Sequence, residues 1–179
     1  MSGLPPTLGN LAFLGGYAPR RCGIATFTTD LHQAVATASP KSDCFVVAVT
    51  DPLQTYSYGS SVRFELEERD AGSYRRTADS LDLTDADVLS LQHEFGIFDG
   101  PSGSYLPGLL REVQDPVVTT LHTILSTPDT AQRTNPEGLA CSKRWKCLSS
   151  EYKASVCFGK ACQKLPNVSP NGPKSVLPN

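Results

Sequence analysis

The stretch from residue 44 to residue 50, CFVVAVT, is an almost unbroken apolar run of strand length. A strand with one wet face alternates polar and apolar residues, so this run predicts a strand covered on both faces, within a parallel sheet. Upstream, residues 24–38 place Ile24, Phe27, Leu31, Ala34, Val35 and Ala38 at helical spacing, and Pro40 closes the helix. Before that helix lies LAFLGG, residues 11–16, which reads as a buried first strand. Downstream, VRFELE at 62–67 alternates strictly, predicting a third strand with one face in solvent, toward a sheet edge.

The same alternation of elements continues along the chain. Residues 70–83 read as a helix with a thin apolar stripe, and VLSL at 88–91 as a fourth strand running straight into QHEFG at 92–96. Tyr105, Leu106, Leu109, Leu110 and Val113 fall at helical spacing, Asp115-Pro116 ends that helix, and VVTTLH at 117–122 reads as a fifth strand. Strand and helix repeated at this spacing predict an α/β fold with a doubly wound, mainly parallel, Rossmann-like sheet. Thr127-Pro128-Asp129 has the chemistry of a further helix start, but Asn135-Pro136 interrupts it.

From residue 134 the pattern stops. No sustained apolar period follows, while five prolines and four of the six cysteines fall between 134 and 179. Charge changes at the same place: residues 1–133 hold 9 Lys and Arg against 16 Asp and Glu, and residues 134–179 hold 7 against 2. Such a segment has little apolar area with which to offset its ordering entropy. The expected organisation is therefore an N-terminal extension at 1–10, one domain at 11–133, and an irregular, poorly ordered tail at 134–179.

Composition narrows the functional classes. A chain of 179 residues suits one ordinary domain, and a formal net charge of -2 gives no electrostatic reason to expect nucleic acid as a partner. No basic segment precedes the first apolar run and no run approaches membrane-spanning length, so the sequence predicts a cytoplasmic protein with reduced thiols. Cys141, Cys147, Cys157 and Cys162 are separated by five, nine and four residues, which matches no zinc spacing of the C-x2-C type. No metal is expected. Cys22 and Cys44 read as small hydrophobes.

Three segments carry polar chemistry. Between the first strand and first helix, GGYAPRRCGIA at 15–25 combines glycines, a helix N-terminus and two arginines. Gly15, Gly16, Arg20, Arg21 and Gly23 then read either as an anion-binding loop or as a tight turn with solvated arginines. The loop lacks both the G-x-G-x-x-G and the Gly-Lys-Ser/Thr patterns. His93 and Glu94 follow the fourth strand and His122 follows the fifth, where open parallel sheets bind ligands. Each has a structural reading as well, but two histidines at neighbouring strand ends are placed to exchange protons near neutral pH. His32 reads as an ordinary helix residue.

The stretches FLGGYAPRRCGIATFTTDL (13–31), LSLQHEFGIFDGPSGSYL (89–106) and PVVTTLHTILSTPDTAQR (116–133) resemble the N-terminal domain of bacterial family 4 glycosyltransferases. These are retaining GT-B enzymes in which two Rossmann-like domains face a cleft. The resemblance implies metal-independent transfer from a nucleotide-diphosphate sugar to a saccharide or lipid-linked acceptor, as in polysaccharide biosynthesis, with no cofactor. It implies that Gly15, Gly16 and Gly23 shape the loop bordering the donor diphosphate and acceptor, that Arg20 and Arg21 contact anions, and that His93, Glu94 and His122 line the cleft as catalytic residues, with His122 near the transferred sugar. A lipid-linked acceptor would add peripheral membrane contact.

Where the family pattern would continue into the donor-binding half, this sequence departs from it at about residue 133. The change there reads as a truncation or as translation in another frame. The expectation is a half-enzyme, inactive alone, whose partner would be a separate chain carrying the C-terminal half. The rival expectation is a non-catalytic Rossmann-like module that binds an anionic ligand or a partner protein.

Overall fold

A computed structural model of the chain describes residues 9–100, 103–123 and 145–148. The elements are β1 (Leu11–Gly15), α1 (Gly23–Ala38), β2 (Cys44–Thr50), β3 (Val62–Glu67), α2 (Ala71–Asp82), β4 (Val88–His93), α3 (Tyr105–Glu112), β5 (Val117–Leu121) and β6 (Trp145–Leu148). All neighbouring strands pair in parallel, in the order β3-β2-β1-β4-β5-β6. The order reverses direction between β1 and β4. That makes the C-terminal ends of β1 and β4 the switch point of the sheet.

Strand periodicity divides the core into two layers. Ala12, Leu14, Phe45, Val47 and Val49 face one way and join Tyr74, Ala78 and Leu81 of α2 and Leu106, Leu109 and Leu110 of α3. Phe13, Val46 and Ala48 face the other way, against Leu31 and Val35 of α1. Helices thus cover both faces, which is why CFVVAVT needs no polar side. The β3 edge behaves as its alternation predicts: Arg63, Glu65 and Glu67 are exposed while Leu66 is buried. Charged residues along an edge strand discourage pairing with another chain.

Helix boundaries follow local chemistry. Asp70 caps α2, its Oδ1 accepting the Gly72 N–H at 2.8 Å, and this start compensates for the thin apolar stripe of that helix. Cys22 caps α1, its Sγ accepting the Ala25 N–H at 3.4 Å, where the sequence offered it only as a small hydrophobe. His32 is more than a helix residue: it is buried, with Nδ1 at 3.1 Å from the Tyr17 hydroxyl and Nε2 at 3.2 Å from the Cys44 carbonyl oxygen, joining α1 to β2.

Within the segment expected to be irregular from residue 134, residues 145–148 form β6 against β5. Without it the outer edge of β5 would leave a row of backbone N–H and C=O groups for another strand, and periodicity over four residues is too short to signal such pairing. The rest of that segment lies outside the described residues, as does the helix start expected at 127–129. No helix among the described residues is long and apolar enough to cross a membrane.

Candidate functional site

Three strand ends meet α1 at the switch point. Gly15 ends β1, and Gln92 and His93 end β4. The backbone N–H of His122, just past β5, donates to the His93 carbonyl at 3.1 Å and locks those two ends together. A second clasp is made of side chains. Thr123 Oγ1 donates to Glu94 Oε2 at 2.5 Å, while Glu94 Oε1 accepts the Phe95 N–H at 2.9 Å.

Alternation along β4 separates its two polar residues. Gln92 turns to the α1 side and is fully buried; its Nε2 donates to Ser90 Oγ at 3.1 Å and its Oε1 lies 3.1 Å from His122 Nε2. His93 turns to the opposite side, into the core. It is 2% exposed, stacked on Phe98 with centroids 6.2 Å apart and edge-on to Phe95 at 5.1 Å. Its Nδ1 has no hydrogen-bond partner among the described residues. Burial, opposed by the nearby Glu94 carboxylate, pushes its pKa down to about 4. This corrects the expectation that His93 lines the cleft: His93 turns into the core, because a one-residue step on a strand changes the face, and its neighbour Gln92 turns to the α1 side.

His122 lies just past the end of β5. Its ring stands edge-on to Phe27 of α1, centroids 4.7 Å apart, and Phe27 is 43% exposed. Partial burial lowers its pKa and Glu94 works against that, so the imidazole is neutral at physiological pH.

The glycine–arginine loop divides into parts with different work. A Cβ on Gly15 would lie 2.9 Å from Gln92 Cβ and 3.3 Å from Thr28 Oγ1, so Gly15 is needed for close packing beneath the site. At Gly16 the nearest atoms would be 3.6 Å away, ordinary contact, and at Gly23 nothing lies within 4 Å. Gly15→Ala is therefore expected to cost about 1–3 kcal/mol, because Gln92 Cβ cannot swing aside, while Gly16→Ala stays within about 0.5 kcal/mol of the parent. Urea midpoints of the two variants check this. Equal effects would remove the packing role of Gly15.

Arg20 corrects another expectation. Its Nη1 donates to Glu68 Oε2 at 2.9 Å and to the Val49 carbonyl at 3.1 Å, with both side chains largely buried. Burial opposes the guanidinium charge, but the hydrogen bond and attraction to Glu68 outweigh it and the pKa rises. A cation neutralised in this way is a strut rather than an anion contact. Arg21 is exposed and makes no ion pair among the described residues, so it is the cation this loop offers to a ligand. Beside it, the N–H groups of Gly23 and Ile24 precede the first intrahelical bond, from Thr26 N to Cys22 O.

Residues the sequence reading did not single out complete the surroundings. Tyr74 donates its hydroxyl to the Glu68 carbonyl at 3.0 Å and accepts the Asp99 N–H at 3.0 Å, which ties the end of β3 to the loop after β4. Burial raises its pKa to about 12. Above this tie is a cleft of about 530 Å³ lined by Glu68, Arg69, the 95–100 segment and Gly103. A separate cleft of about 750 Å³ runs along β3 and α2, and neither cleft is lined by any of the predicted site residues. No group of His, Cys, Asp and Glu among the described residues is arranged to hold a metal ion.

This arrangement can present a neutral imidazole, a carboxylate already held by a hydroxyl, and a helix end beside Arg21, which is unpaired among the described residues. Comparison with known proteins finds no match. That holds for family models, for curated proteins and for solved structures alike.

Proposed function

We propose that the strand ends of this sheet form the acceptor-side wall of a GT-B sugar transferase, working on a nucleotide-diphosphate sugar and a saccharide or lipid-linked acceptor. The observation that carries the reading is that His122, tied to the end of β4 and set against Phe27 of α1, and Glu94, which accepts from Thr123, gather at the C-terminal ends of neighbouring parallel strands. The resemblance at 13–31, 89–106 and 116–133 covers these same segments. In this reading His122 contacts the transferred sugar, Glu94 holds Thr123 and the rim of the cleft, and the Gly23 and Ile24 amides with Arg21 meet phosphate oxygens. His93 and Arg20 act from below, as packing and as a strut.

A single wall gives a few charge-assisted hydrogen bonds, each worth about 1.5–3 kcal/mol before ordering costs. Binding of a sugar phosphate or nucleotide sugar is expected in the millimolar to high-micromolar range, about -4 to -6 kcal/mol. Transfer by this chain alone should be undetectable, since the transition state needs groups from both sides of a cleft in register. Calorimetry with several nucleotide sugars, together with a donor-hydrolysis assay, tests both statements. Weak binding that Arg21→Ala reduces supports the reading; no binding of any sugar nucleotide, or binding insensitive to Arg21, removes it.

A further inference from the structure

Among the polar groups of the site, Gln92 has no role in the reading so far, yet it is fully buried and both ends of its amide are engaged. The amide nitrogen donates to Ser90 Oγ on the same strand, which turns the amide oxygen toward His122 Nε2. An oxygen in that place accepts, so Nε2 must carry the hydrogen. A neutral imidazole has one N–H, so Nδ1 is left with its lone pair, and it takes no hydrogen bond among the described residues.

We infer that Gln92 is a positioning residue that holds His122 as the Nε2–H tautomer, presenting Nδ1 as a hydrogen-bond acceptor. The ring has little freedom to do otherwise. Its backbone N–H is tied to the His93 carbonyl, its ring stands T-shaped against Phe27, and Gln92 is fully buried with its Cβ close against Gly15. The chemical consequence is selective. An unprotonated nitrogen receives a hydroxyl hydrogen and repels a phosphate oxygen, so His122 takes the polyol part of a ligand, and anionic groups are left to the α1 end.

The opposite amide orientation, with Ser90 donating and the Gln92 nitrogen facing His122, would place the hydrogen on Nδ1. The two arrangements differ in a directly observable way. In long-range proton–nitrogen spectra of the full 15N-labelled chain, the His122 signals, identified by their loss in His122→Gln, should show a protonated Nε2 and an unprotonated Nδ1 above neutral pH. A protonated Nδ1 overturns the inference, and so does a tautomer mixture matching free histidine.

Variants give a second, independent reading. Gln92→Met removes the acceptor at similar volume and should relax His122 toward the mixture of the free side chain. Gln92→Glu should raise the His122 titration midpoint by about one pH unit, because a carboxylate facing Nε2 favours the second proton. The other groups facing His122 are Glu94 and His93 from the end of β4 and Phe27 from α1, which carries no charge, and these stay constant. An unmoved midpoint in Gln92→Glu also overturns the inference. The proposal rests on the sugar-transfer reading only for its meaning, since these spectra need no ligand. Failure of nucleotide-sugar binding leaves the tautomer result intact, and the reverse holds as well.

Discussion

Arg20→Ala should lower the stability of the chain by about 3–5 kcal/mol, because it leaves the Glu68 carboxylate in a largely buried place with its main partner removed. The Arg20 and Glu68 side chains are 14% and 12% exposed. Arg69 is the remaining cation, at 3.8 Å and half exposed, too distant and too well solvated to take over. Arg20 also caps the Val49 carbonyl, so the substitution removes a donor from the end of β2 as well. Removing both charges together should do far less damage, because well-packed apolar residues replace a buried pair at little net cost. The expected order in urea denaturation is Arg20→Ala well below Glu68→Gln, with Arg20→Met/Glu68→Met recovering most of the loss. An Arg20→Ala protein within about 1 kcal/mol of the parent would show that the pair is worth no more than a surface contact.

That result bears on what an arginine in a glycine-rich loop can be taken to mean. From the sequence, Arg20 and Arg21 are equivalent cations beside a helix start. They differ only through Glu68, 48 residues away, and no local pattern reports a pairing over that distance. The sheet was legible because each strand carries its own burial pattern: CFVVAVT for a strand covered on both sides, VRFELE for an edge. β6 was not, since four residues hold too little periodicity and the partner edge of β5 supplies the reason for the strand to form.

The candidate site was legible to the same depth. Which strand ends hold it follows from the order of elements, and His122 and Glu94 lie where that order puts them. Which of two adjacent polar residues faces α1 depends on the phase of β4. Leu89 and Leu91 already set that phase: both are buried in the layer under α2 and α3, so His93 belongs with them and Gln92 with α1. A period-two count carried through the QHE stretch would have found Gln92.

The burial of His93 predicts how the fold responds to acid. Its folded pKa is about 4 against 6.5 for the unfolded side chain, the lowering caused first by loss of hydration in a pocket walled by Phe95 and Phe98. Between those two values the unfolded chain binds a proton that the folded chain refuses. Stability from this residue is thus fully present above about pH 6.5 and is lost progressively as the pH falls toward about 4. A difference of this size corresponds to about 3 kcal/mol. His122, also lowered, adds in the same direction. His93→Phe keeps an aromatic ring against Phe95 and Phe98 but cannot be protonated, so its stability should fall much less across that window. Urea denaturation of both proteins at several pH values from 4.5 to 7.5 separates the His93 contribution from that of carboxylates, most of which titrate lower. Parallel stability curves for parent and variant would mean that the folded protein accommodates a proton on His93, and that its ring is far less enclosed than its packing indicates.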